Sequence, residues 1–171
     1  MKNIFLIGYM GTGKSSVAAH MTKTYGMEVV EMDEMIVCRE GMSISDIFAK
    51  HGEDYFRDAE GKLLQEICQQ ENKVVSCGGG VVLRSQNVEE MRKGGRIVLL
   101  SAKPETILER VKDDDSRPLL VGNKTVAFIS EMMEKRREKY EGAADIIIQT
   151  DNKSVVDICE EMIERIKKMG E

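Results

Sequence analysis

The eight residues Gly8-Tyr9-Met10-Gly11-Thr12-Gly13-Lys14-Ser15 constrain this chain more than any other stretch. They fit the pattern G-x-x-x-x-G-K-[ST] in full and follow directly on an all-apolar run at residues 4–7. Glycines let the backbone take positive φ and bring N–H groups against phosphate oxygens. A helix opening near Lys14 aims its amide-rich end at the same anion. Lys14 supplies a point charge for the β- and γ-phosphates, and the Ser15 hydroxyl can ligate Mg2+. The pattern calls for a buried strand, a tight loop and a helix in succession, with a nucleoside triphosphate in the loop. It does not separate kinases from GTPases or motor ATPases.

Beyond the loop, short apolar runs alternate with helical patterns. Runs at 28–31, 74–76, 97–100 and 146–149 read like the one at 4–7, as buried strands. Helical spacing covers 14–25, 33–40, 43–50, 53–70, 86–93, 104–111, 125–140 and 154–168. Pro104 suits a first helical turn, and Ser43 precedes Asp46 at capping-box spacing. This alternation predicts βαβ units, hence an α/β fold with a parallel sheet between two helical layers. Ligands in such folds sit beyond the carboxyl ends of the strands, here after Ile7, Glu31, Ser76 and Leu100. With no repeat, no low-complexity stretch and two prolines, residues 1–171 read as a single domain.

The balance of 25 Lys+Arg against 30 Asp+Glu leaves a net charge of −5, which argues against a dedicated nucleic-acid binder. An anionic ligand must therefore be held by local cations and amides. Apolar runs such as 146–148 fall far short of the roughly 18–20 residues of a membrane span. The apolar start of the chain enters a glycine loop rather than a cleavage site, so no secretory signal is read there. Cys38, Cys68, Cys77 and Cys159 are scattered without zinc spacing, as reduced thiols in a cytosolic protein would be. His20 and His51 are isolated and read as structural, and the 12 methionines as filler.

Several charged residues follow the predicted strands. Glu31 and Asp33 stand at i, i+2 at a strand end, a spacing that points both carboxylates one way. One could hold a metal-bound water and the other accept a proton from a hydroxyl; a solvated Glu31 and a helix-capping Asp33 are the plainer alternative. Phe56-Arg57 opens a long helix, and Arg57 alone could be a surface ion-pair residue. Gly78-Gly79-Gly80 suggests backbone approaching a ligand, where a tight turn would need fewer glycines. Arg110 and a polar loop holding Arg117 suggest a lid that carries a cation to the transferring phosphoryl group. Arg136 and Tyr140 share a helix face.

Taken in order, these elements resemble the shikimate kinase family within the P-loop nucleoside-monophosphate-kinase-like group. The resemblance runs from about residue 4 to Tyr140: the glycine loop, Glu31 and Asp33, Phe56-Arg57-x-x-Glu60, residues 78–80, Arg110, Arg117-Pro118-Leu119-Leu120, and Lys135-Arg136-x-x-x-Tyr140. It implies a three-layer α/β/α P-loop kinase fold, with a five-stranded parallel sheet in order 2-3-1-4-5. It also implies ATP-dependent phosphorylation of the 3-hydroxyl of shikimate, in the pathway to the aromatic amino acids, with Mg2+ as cofactor. In that reading Gly11, Thr12, Gly13, Lys14, Ser15 and Ser16 hold the phosphates, with Arg110 near the adenine and Arg117 as the lid arginine. Asp33 bonds the accepting hydroxyl, and Lys14, Asp33 and Arg117 form the catalytic set. Arg57 and Arg136 grip the substrate carboxylate, Glu60 supports Arg57, and Gly78, Gly79 and Gly80 line the pocket. Ser15 would ligate Mg2+ directly and Glu31 through water, although the family usually carries Asp at that position. The acceptor segment spans about 33–60 and the lid about 112–124.

Two other readings share these residues. One is a P-loop kinase acting on gluconate or a nucleoside monophosphate; the other is a nucleotide-binding regulatory domain without turnover. Expected partners are ATP and shikimate, with no nucleic acid and no membrane, and a monomer in the cytoplasm.

Overall fold

A computed structural model describes residues 1–112 and 125–170. The expected lid, with Arg117, therefore lies almost wholly outside the described residues. Along the chain come β1 (Asn3–Ile7), α1 (Lys14–Tyr25), β2 (Glu28–Glu31), α2 (Met32–Glu40), α3 (Ile44–His51), α4 (Glu53–Ile67) and β3 (Lys73–Ser76). A short 3-10 turn, Val81–Leu83, precedes α5 (Ser85–Gly94), β4 (Gly95–Ser101), α6 (Pro104–Val111), α7 (Val126–Ala143), β5 (Ile146–Gln149) and α8 (Val155–Lys168).

The five strands pair in parallel in the order β2-β3-β1-β4-β5, as the resemblance implied. β1 lies at the centre, and all five of its residues are buried, which is why residues 4–7 are apolar without alternation. Its side chains still alternate between two cores. Phe5 and Ile7 join Val75, Ile97 and Leu99 under α2–α7, while Ile4 and Leu6 join Val74, Val98 and Leu100 under α1 and α8. The last helix covers the second core through Ile158, Met162 and Ile166, much as its apolar stripe predicted. β5 departs from expectation. It is an edge strand, and its burial alternates, with Ile147 39% exposed.

Local signals set most boundaries. The Ser43 hydroxyl accepts from the Asp46 N–H at 3.1 Å and starts α3. Pro104 stands in the first turn of α6, where its missing N–H costs nothing. Parallel register pairs Leu6 with Ser76 and Ile7 with Leu99, so β1, β3 and β4 finish side by side. The loops that leave them share one edge of the sheet.

Candidate functional site

At that edge the 8–15 loop turns from β1 into α1. Gly11 and Gly13 have φ of 79° and 100°, the left-handed region that glycine enters without strain. Gly13 caps α1 without any side-chain hydrogen bond, so the first-turn amides are left to an anion. The Lys14 Nζ donates to the carbonyls of Gly8 at 2.6 Å and Tyr9 at 3.1 Å, which stations the ammonium within the loop. Thr12 Oγ1 donates to the Tyr9 carbonyl at 2.8 Å and tightens the same turn. Arg110 on α6 donates from Nη1 to the Gly11 carbonyl at 2.8 Å and reaches Thr150 Oγ1 at 3.4 Å. It thus ties the loop to the segment after β5. Ser16 lies exposed in the first turn of α1.

The two acids after β2 part company. Glu31 closes β2, and its Oε2 accepts from Ser15 Oγ at 3.1 Å across the loop's mouth. Asp33 is already inside α2, which begins at Met32. A strand's two-residue alternation therefore does not carry over between them, and the expectation that both carboxylates point one way is corrected. Asp33 turns instead to the glycine strip: a Cβ on Gly78 would stand 2.7 Å from its Oδ1 and 2.8 Å from Glu60 Oε2. The Ser15 hydroxyl and the Glu31 carboxylate form an all-oxygen donor pair, the chemistry a hard divalent cation takes.

Gly78 and Gly80 in the strip at 78–80 are glycine for want of space, and none of the three residues has a positive φ. A Cβ on Gly80 would collide with the Arg57 guanidinium, and one on Gly79 would stand 3.4 Å from Arg136 Nη1 and 3.7 Å from the Tyr140 hydroxyl. The Tyr140 hydroxyl donates to the Gly79 carbonyl. Two arginines from different helices, α4 and α7, thus meet one backbone strip, with Asp33 beside it.

Arg57 is 9% exposed and is not the surface residue its position alone would suggest. Its Nη1 donates to Glu60 Oε1 at 3.2 Å and its Nη2 to Glu53 Oε1 at 3.4 Å. Its guanidinium carbon lies 5.2 Å from the centre of the Phe56 ring, which meets Phe48 edge-on at 5.2 Å. Glu60 is fully buried, and its Oε2 has no hydrogen-bond partner among the described residues. Burial pushes its pKa up to about 7 against the attraction of Arg57, and the nearby Asp33 charge adds to the rise. Burial likewise raises the Tyr140 phenol, with Arg136 opposing.

Glu53 and Tyr9 were not among the expected site residues. A one-turn pattern, Glu53 to Arg57 at i, i+4, could have signalled the first. Tyr9 occupies an unrestricted position of the loop pattern, and nothing in the sequence marks it. Among the described residues no cluster of three or more His, Cys, Asp or Glu is placed to hold a metal ion. No helix there is long and apolar enough to cross a membrane.

Comparison with known proteins gives one consistent result. The family model described as shikimate kinase matches residues 10–167. A shikimate kinase of Dehalococcoides mccartyi is 42% identical over 97% of this chain and 94% of its own length. One from Persephonella marina is 41% identical over 98% of this chain and its whole length. Among solved structures, a shikimate kinase from Acinetobacter baumannii in complex with shikimate superposes with a TM-score of 0.92, at 30% identity, covering 98% of this chain and 94% of that one.

Proposed function

The chain belongs to the shikimate kinase family, and from that premise we infer that it phosphorylates the 3-hydroxyl of shikimate with ATP. The product is shikimate 3-phosphate, in the route to chorismate and the aromatic amino acids. The convergence of Arg57 and Arg136 on residues 78–80, beside Asp33, carries this reading. Shikimate offers one carboxylate and several hydroxyls on a ring. A planar guanidinium fork suits a carboxylate better than an ammonium does, and two forks from separate helices fix the ring's orientation.

The residues then divide the work. Gly11, Thr12, Gly13, Lys14, Ser15 and Ser16 hold the phosphates, and Arg110 braces the loop toward the adenine side. Asp33 orients the accepting hydroxyl and receives its proton, while Glu60 and Glu53 hold Arg57 in place. Gly78, Gly79 and Gly80 leave room for the ring. Arg117, from the 112–124 lid, meets the transferring phosphoryl group, and residues 33–60 form the acceptor segment of one kinase domain. Positioning is most of the task, because a loose phosphoryl transition state needs little covalent help. Mg2+ fits the oxygen pair at the loop's mouth, with Ser15 as direct ligand and Glu31 acting through water. When bound, it neutralises charge on the phosphates. ATP and shikimate are the only partners in this reading. The enzyme works as a cytoplasmic monomer, where its four free thiols stay reduced.

The test is an ADP-release assay with shikimate, quinate, gluconate and AMP as acceptors. Shikimate turnover is expected to exceed the others by at least about a hundredfold in kcat/KM, since an acceptor lacking a matched polar group leaves buried donors unpaired. Arg57→Lys and Arg136→Ala are expected to raise the shikimate KM. Equal use of gluconate or AMP, or arginine variants with normal KM, would sink the assignment.

A further inference from the structure

α7 and the end of β4 leave a gap beside the glycine loop, a cavity of about 260 Å³ with Leu99, Ser101, Met133 and Arg137 on its walls. Protein interiors are close-packed, so a gap here removes the contacts that would otherwise fix this turn of the helix. Two further residues on its walls are Tyr9, from the loop, and Tyr140, from α7. Both are buried in the same core cluster. Tyr140 bonds the Gly79 carbonyl and so ties α7 to the acceptor strip. The Tyr9 backbone is fixed within the loop, where its carbonyl accepts from both Lys14 and Thr12.

The Tyr9 hydroxyl is the unexplained part. The residue is 3% exposed, and among the described residues this hydroxyl has no hydrogen-bond partner. A buried unsatisfied hydroxyl is destabilising, and phenylalanine would fill the same space without that cost. Arg136 and Tyr140 are the titratable neighbours whose fields reach it: Arg136 favours the ionised phenol, Tyr140 disfavours it, and burial outweighs both. A guanidinium has five donors, enough to bind a carboxylate and a phenol oxygen together.

We propose that Tyr9 is a positioning residue of the acceptor site, whose ring spans from the loop to α7 and whose hydroxyl receives a hydrogen bond from Arg136 when that arginine holds the acceptor carboxylate. The inference rests on the shikimate reading above, because it needs Arg136 at the carboxylate. It assigns Tyr9 no contact with substrate and no part in phosphate binding.

Steady-state kinetics of Tyr9→Phe, Arg136→Ala and the double variant, all with shikimate and ATP, test it. Tyr9→Phe is expected to raise the shikimate KM about fivefold, the worth of one net hydrogen bond. Its kcat, its KM for ATP and its Tm should stay at wild-type values or, for Tm, rise. In the Arg136→Ala background the same change should have no further effect, because the donor is gone. A Tyr9→Phe enzyme with unchanged shikimate KM, or one whose effect adds in full to that of Arg136→Ala, overturns the proposal while the carboxylate role of Arg136 stands. If Tyr9→Phe lowers Tm and shifts all three kinetic constants, Tyr9 is packing alone and the proposal falls. If Arg136→Ala leaves the shikimate KM unchanged, the acceptor reading itself fails and takes this inference with it.

Discussion

At the scale of single residues, Glu60 shows how burial and charge combine. Its carboxyl pKa rises from 4.5 to about 7 in the folded protein, so the native state holds the proton more tightly than the unfolded chain. The stability this proton confers is complete below pH 4.5 and is lost as pH climbs through about 7. It amounts to something on the order of 3 kcal/mol. The same titration bears on binding. A neutral Glu60 still accepts from Arg57, whereas an ionised one adds a negative charge beside the place the proposed reading gives to the acceptor carboxylate. The shikimate KM should therefore rise with pH across about 6 to 8 in the wild type and stay flat in Glu60→Gln. A KM–pH profile of the two enzymes checks this, and parallel profiles would remove Glu60 from the site's electrostatics.

At the scale of elements, short helices present the site and their caps hold them. α3 spans eight residues, too short to persist by itself, and its start depends on the Ser43 hydroxyl. Ser43→Ala should lower stability by about 1 kcal/mol, read as a lower urea midpoint with unchanged slope. Caps, the glycine loop and the apolar strands all carry local chemistry, so the sequence made them legible to within a residue or a few. The glycine strip was legible as a place of close approach, though not its reason: the guanidinium of Arg57 and the carboxylates of Asp33 and Glu60 crowd it from distant segments. Hidden too was the parting of Glu31 from Asp33, because the spacing looks the same whether a strand continues or a helix begins. The 3-10 turn at Val81–Leu83 follows from the strip's path across the sheet edge, which is tertiary information. Glu53 went unread because an exposed acid is ordinary until its partner turns out to be buried.

At the scale of the whole molecule, the glycine loop and the 78–80 strip come from separate segments and are brought to one edge by the parallel sheet. In the proposed reading Arg117, which lies outside the described residues, is the lid arginine, and its contribution should then fall on the transferring group rather than on acceptor binding. Arg117→Ala is expected to lower kcat by about a hundredfold or more while the shikimate KM shifts only a few-fold. Single-turnover kinetics at saturating ATP and shikimate separate the two, and a change confined to KM would place Arg117 with the acceptor instead.

The pairing of Leu6 with Ser76 makes the sheet a ruler. The glycine loop and the 78–80 strip, donor and acceptor sides in the proposed reading, spring from adjacent rails about 4.8 Å apart, and each residue along a rail advances its loop by about 3.3 Å. In-line transfer tolerates errors of only about half an ångström. Adding one residue to either rail thus misaligns the reactants by several tolerances at once. Drift in chain length should accordingly gather far from these two neighbours.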